Sequence, residues 1–169
     1  MQESPQQYTQ RILKNSEGQD PLRIQQTTPK KLSALLRGKT KKQLTRRPAP
    51  GKWSIAEIIA HLADAEIAIS WRLRQILSSS GISLQAYDQD AWASTLDYAH
   101  RDPRQSLETY RVLRDANLRL LKSIPKSLWD NYGVHQERGN ETIAHMMRLT
   151  AGHDVNHLRQ VESILKPAR

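Results

Sequence analysis

Cysteine is absent from this 169-residue chain, and so is phenylalanine. Without cysteine there are no disulfides, no thiolate metal ligands and no cysteine nucleophile. That usage suits a reducing compartment. No apolar run is long enough to span a bilayer, and the N-terminus lacks a signal-peptide hydrophobic region, so the expected location is the cytoplasm with no membrane partner. Asn140-Glu141-Thr142 matches a glycosylation sequon but has no meaning without export. The 4 Trp and 5 Tyr are left as the aromatic content, and 37% hydrophobic with 25% charged residues is the balance of a globular domain. At this length a single sizeable core is expected.

Acidic residues are also scarce in one stretch. The formal net charge is +9, and from Pro29 to Lys52 there are nine Lys or Arg and no acid. Such a run can grip phosphates, but more commonly it is a solvated loop or face. No aromatic residue is interleaved before Trp53, and no helix-turn-helix pattern is visible. Nucleic acid is therefore the weakest of the partners considered.

Helix punctuation organises the rest. Ser4-Pro5 reads as an N-cap and first helical residue, with Tyr8, Ile12 and Leu13 on a short apolar face. Residues 1–19 are read as an N-terminal extension and 20–166 as the main domain. Asp20-Pro21 starts a helix running to Gly38, with a kink or restart expected at Pro29 and Thr28 as its local cap. Lys39 to Lys52 is a basic connection. Ser54 and Glu57 form an S-x-x-E capping box, and Trp53 can staple onto Ile58. That helix is expected over 55–77, with Ile55, Ile58, Ile59, Leu62, Ile69, Leu73 and Ile76 on its core stripe. Asp88 to Trp92 reads as the start of a short helix, with Trp92 expected in the core. Asp102-Pro103 opens a third long helix ended by Pro125. A connection over 126–139 follows, and Gly139-Asn140 is read as the start of the last helix, running to about Leu165. No strand pattern stands out. The expectation is an all-α four-helix bundle, antiparallel or crossed, with short additional helices.

Within the last helix, His153 and His157 are four residues apart, about 40° around the axis and one turn apart. Met146, Leu149 and Ile164 lie on the same side and Arg148, Arg159 and Glu162 on the other, so both imidazoles face the apolar stripe. Burying them costs free energy unless each finds a partner. A shared divalent cation satisfies both; separate hydrogen bonds within a packed core are the alternative. The H-D-x-x-H spacing echoes a metalloprotease motif, but Asp154 is a methylene shorter than the usual Glu, and Glu162 is on the wrong face to be a third ligand. The best third ligand is His61, at the stripe's edge on the second long helix. Ala65 and Ala68 beside it leave a hollow, or simply permit close helix packing. His145 is two turns from His153, and His100 and His135 lie in connections. Three neutral imidazoles would suit zinc or nickel ahead of manganese or iron.

The segment from Pro50 to Glu66, with Trp53-Ser54-Ile55-Ala56-Glu57 and His61-Leu62-Ala63-Asp64, pairs with Ala151-Gly152-His153-Asp154-Val155-Asn156-His157-Leu158. Together they resemble the DinB-like (DinB/YfiT) superfamily over roughly residues 20–166. The resemblance implies an up-down-down-up four-helix bundle, a homodimer, and a divalent metal held by His61, His153 and His157. Some members of that superfamily are metal-dependent transferases or isomerases using low-molecular-weight thiols such as bacillithiol or mycothiol. It therefore implies a metal-dependent enzyme of the thiol S-transferase or hydrolase type acting on a small-molecule substrate or thiol. A metal-binding or stress-linked protein without catalysis is the alternative, and a basic nucleic-acid binder comes third. Arg72 and Arg159 could hold a substrate carboxylate, although Arg159 points away on the wheel and Arg72 is readable as a surface residue.

Overall fold

The computed structural model describes residues 3–166. Seven α-helices follow in order: α1 (Pro5–Lys14), α2 (Pro21–Leu36), α3 (Lys41–Thr45), α4 (Ile55–Ser78), α5 (Gln89–Thr95), α6 (Pro103–Ser123) and α7 (Ile143–Leu165). Their starts are written in the sequence. Ser4, Thr40 and Ser54 each close a capping box with the Gln or Glu three residues on, and Asp20, Asp88 and Asp102 accept backbone N–H groups of the first turn. Pro5, Pro21 and Pro103 occupy first-turn positions, where the missing N–H costs nothing.

The four long helices make the bundle, and two core clusters show how they run. One joins the late residues Leu32 and Leu36 of α2, the early Ile55, Ile58, Ile59 and Leu62 of α4, the early Tyr110 of α6 and the late Leu158 and Val161 of α7. The other joins the opposite ends: Leu22, Leu73, Ile76, Leu121, Ile143, Met146 and Met147. So α2 and α7 run one way and α4 and α6 the other, which is the up-down-down-up order. Between the two clusters the bundle carries a polar layer: Glu66, Arg114, Asn117, Asp154 and the three histidines.

Four features depart from the sequence reading. Three short strands form a small sheet: β1 (Ile82–Leu84) pairs parallel with β2 (Tyr132–His135), which pairs antiparallel with β3 (Gly139–Thr142). Strand β3 occupies the Gly139-Asn140 position expected to open the last helix. That helix instead begins at Ile143 behind the Thr142 cap, whose hydroxyl accepts from the His145 N–H. The basic connection contains α3, seeded by the Thr40–Gln43 box and anchored by buried Leu44. Finally, α2 passes through Pro29 without a restart. Thr28 caps nothing there; its hydroxyl donates to the Ile24 carbonyl at 2.8 Å. Pro29 has no N–H to give the Gln25 carbonyl, and the buried Arg114 guanidinium donates to that oxygen instead, at 3.4 Å.

Helix α1 lies along α7, with Ile12 fully buried. The contact depends on Gly152: a Cβ there would stand 2.1 Å from the Ile12 carbonyl oxygen. Asn15 bridges the pair, donating to the Gly152 carbonyl at 3.4 Å and accepting from Arg159 at 2.8 Å. This accounts for Arg159, which faces α1 and not the histidines.

Candidate metal centre

His61 comes from the buried first half of α4, and His153 and His157 come from successive turns of α7. Because α4 and α7 are antiparallel neighbours, the three rings meet. The Nε2 atoms of His61 and His157 each lie 3.0 Å from Nε2 of His153. One nitrogen from each ring falls within 4.8 Å of the others, and this is the metal-competent cluster of His, Asp, Glu or Cys found among the described residues.

Burial makes these rings neutral. It pushes His61 down to about 3 and His157 to about 4, and His153 well below the usual histidine range, each with the imidazoles nearby adding to the effect except at His157, where Gln160 opposes it. Gln160 also sets a tautomer. Its carbonyl oxygen lies 2.9 Å from Nδ1 of His157, so Nδ1 carries the hydrogen and Nε2 presents its lone pair to the cluster. Three converging neutral nitrogens cannot all be satisfied by one another. His153 has one ring hydrogen at most to place at Nε2, and two neighbours at equal distance. A divalent cation accepts all three lone pairs at once, and neutral imidazole is its commonest protein donor. The residues fit a metal ion.

The cluster stands as a wall between two cavities. One, of about 310 Å³, is lined by His61, His153, Ala65, Arg72, Tyr87 and Thr150, among others. Of the hollow expected beside His61, Ala65 and Ala68, the cavity has His61 and Ala65 in its lining and not Ala68. The other, of about 450 Å³, is lined by Trp53, Ile58, Asn156, His157 and Gln160. Tyr8 of α1 and Gln89 of α5 line both. The Trp53 ring packs against His61 with centroids 5.1 Å apart. With its faces on two solvent-reaching cavities, the cluster leaves room for a fourth ligand, as catalytic sites do and closed structural sites do not.

The other histidines take no part. His100 is exposed and pairs with Asp97 at 2.7 Å. His145 sits half-buried near the start of α7. His135 is buried on β2, with Nδ1 accepting from the Glu137 N–H at 3.2 Å. Trp92, expected in the core, belongs to neither core cluster; it is half-buried and stacked on Tyr87, centroids 4.1 Å apart. Arg72 is not a free surface residue: it is half-buried in the cavity wall, with its guanidinium over the Tyr87 ring and donating to the Gln85 carbonyl.

The residue missed by sequence reasoning is Arg114. It is 2% exposed, between Glu66 at 1% and Asp154 at 0%. Nε and Nη2 donate to Glu66 at 3.0 and 2.8 Å, Nη2 also donates to Asp154 at 3.1 Å, and Nη1 donates to Asp154 and to Gln25. Tyr110 donates to Asp154 at 2.9 Å and Asn117 to Glu66 at 2.8 Å. Burial pushes the Asp154 carboxyl up, against the pull of Arg114 and of the Tyr110 hydroxyl. Asp154 is thus fully engaged behind the histidines. It ties the α7 segment that carries His153 and His157 to α6 and α4, and it is not placed as a base.

Known proteins match this chain at low identity. A protein of Oceanobacillus iheyensis, provisionally named a metal-dependent hydrolase, is 25% identical over 127 residues, 73% of this chain and 70% of its own. The Bacillus subtilis protein YfiT, with the same provisional name, is 22% identical over 144 residues, 85% of this chain and 81% of its own. The solved structure of YfiT, described as having an unusual four-helix bundle topology, superposes with a TM-score of 0.80 at 20% identity, covering 95% of this chain and 87% of that one. The family model of the DinB superfamily matches residues 25–161. The chain belongs to the DinB superfamily.

Proposed function

We propose that the protein is a metal-dependent enzyme acting on a small molecule, with His61, His153 and His157 holding one divalent cation. The observation that carries this reading is the convergence of three neutral imidazole nitrogens from two helices, open to a cavity on either side. The relatives named as metal-dependent hydrolases support it. A divalent cation at this position supplies Lewis acidity, polarising a substrate carbonyl or phosphoryl group and acidifying an oxygen or sulfur nucleophile. The protein's own groups do the rest. Gln160 holds the His157 tautomer, the Glu66–Arg114–Asp154 network fixes the helix that carries two ligands, and Tyr8 and Gln89 roof the site. Hydrolysis and thiol transfer both fit this description, and zinc or nickel suits the all-nitrogen donor set.

The test is elemental analysis of protein purified without an affinity tag, beside a His153→Ala/His157→Ala double variant. One metal ion per chain, lost in the variant, is expected. Full occupancy in the variant would place the metal elsewhere. No metal after reconstitution with zinc, nickel and manganese would return the three histidines to core packing. Loaded protein is then screened against ester, amide and phosphoester substrates with water, and against electrophiles with low-molecular-weight thiols.

A further inference from the structure

The smaller cavity holds a cation that the metal centre does not use. Arg72 is half-buried on α4, and its side chain lines the same cavity as His61 and His153. It is held in place on one side by the Tyr87 ring, 5.6 Å from the guanidinium carbon, and Tyr87 is itself stacked on Trp92. It donates to the Gln85 carbonyl. Among the described residues no carboxylate lies within ion-pair distance of it, and its other N–H donors have no protein acceptor.

The second cation of this cavity, Arg138, is different. It is fully committed to buried Glu141 through two bonds of 2.6 and 3.0 Å. Glu137 also lines the cavity, but it is exposed and forms no ion pair with Arg72. Glu3, at the rim, is taken by Arg11 at 2.8 Å. Burial first, and then the charge of Arg138, pull the Arg72 pKa down, against the opposing pull of Tyr87, Glu141 and Glu137. The cavity therefore contains one pre-positioned guanidinium without a direct ion-pair partner among the described residues, on the same cavity as His61 and His153. The remaining wall is apolar or neutral: Ala65, Ile69, Met146, Leu149 and Thr150. At about 310 Å³ it sits at the small end of ligand pockets.

We propose that this cavity is the substrate pocket, that it takes a small anionic compound, and that Arg72 seats the carboxylate or phosphate of that compound while its reacting group faces His61 and His153. The proposal rests on the reading of the histidines as a metal centre acting on a substrate. Guanidinium is suited to the task because it offers parallel N–H donors to the two oxygens of a carboxylate or phosphate. Placed over the Tyr87 ring and bonded to the Gln85 carbonyl, it loses little conformational freedom on binding.

The test does not depend on turnover. The side-chain Nε–H resonance of Arg72 is followed by NMR in metal-free and metal-loaded protein during titration with succinate, with inorganic phosphate, and with neutral succinamide. A saturable shift with succinate or phosphate and none with succinamide is expected. In Arg72→Leu the accompanying backbone shifts of Thr150 and Tyr87 should need at least about tenfold more anion, and Arg72→Lys should recover part of the affinity. The anion that saturates first identifies the carboxylate or the phosphate class. Equal binding to Arg72→Leu would overturn the proposal, as would shifts confined to the exposed basic residues around Lys41, Lys42 and Arg46. Anion binding at Arg72 in a protein that takes no metal would sink the metal reading and keep the pocket. Metal binding without an anion response at Arg72 would sink this proposal alone.

Discussion

Replacing Arg114 with Met removes the one cation from the buried layer between the two halves of the core. All five of its N–H donors are used, and its carboxylate partners are 1% and 0% exposed. Glu66 would keep the Asn117 donor and Asp154 the Tyr110 hydroxyl, but each would lose its charged partner, and the Gln25 carbonyl opposite Pro29 would lose its donor. Breaking a buried ion pair by removing one partner costs about 3–5 kcal/mol, against about 5–15 kcal/mol for a whole domain. The melting temperature should therefore fall by on the order of 10 °C. The pH dependence identifies the cause. Burial already raises the Asp154 carboxyl, and without the guanidinium it rises further above its unfolded value. An acid raised in this way destabilises fully above its folded pKa, and the penalty fades as pH falls toward the unfolded pKa. The deficit of Arg114→Met relative to wild type should thus be larger at pH 7.5 than at pH 5, measured by urea denaturation at each pH. Adding Glu66→Gln and Asp154→Asn should recover part of the loss at pH 7.5. A deficit under about 1 kcal/mol, or one that grows on acidification, would refute the view that Arg114 neutralises buried carboxylates.

Other perturbations test single contacts. Gln160→Leu leaves His157 in place but frees its tautomer, so metal affinity should weaken about 10–100-fold in a competition titration with no matching loss of stability. Gly152→Ala decides what joins α1 to α7. In an ordinary helix position the change would gain about 1 kcal/mol, but here the Cβ meets the Ile12 carbonyl at 2.1 Å. It should instead destabilise by about 1–3 kcal/mol and speed amide exchange around Ile12; a stabilised variant with a protected α1 would contradict the packing. His135 is held neutral, its pKa pushed down to about 4 mainly by burial. Its share of stability is complete above the unfolded value near 6.5 and is lost as pH falls toward 4. The slope of unfolding free energy across that window should flatten in His135→Asn, and an unchanged slope would place the titration elsewhere.

What the sequence made legible was local. Asp20, Ser54 and Asp102 announce the starts of α2, α4 and α6, whereas the Thr142 cap of α7 lay behind a misleading Gly139-Asn140 signal; the His153–His157 pair shares a face because a helix turns every 3.6 residues. His61 could be added because a histidine beside Ala65 on an apolar stripe leaves space. What stayed hidden depended on partners far along the chain. Strand β1 has three residues and finds its parallel partner some fifty residues on, too short a piece to show a period of two. Pro29 signals a break because the proline rule counts only the helix's own donors, whereas here a guanidinium from α6 takes the orphaned carbonyl. Arg114 itself looks like an interruption of its helix's apolar stripe, and its carboxylates stand 48 and 40 residues away.

These hidden groups bear on the chemistry. A pair of histidines at i and i+4 aligns two ligands by itself, but the third comes from another helix. Its distance to them is set by how α4 and α7 pack, and a shift of about 1 Å in that packing is enough to spoil a metal site. Glu66 lies on α4 five residues after His61, Asp154 lies on α7 between His153 and His157, and Arg114 from α6 binds both carboxylates. The guanidinium thus fixes the spacing of the two helices at the level where the histidines meet. On this argument the loss of Arg114 should weaken metal binding as well as stability, even at temperatures where the variant is fully folded. Glu57→Gln, which disturbs the capping box of α4 and the Arg47 ion pair, should leave metal affinity unchanged.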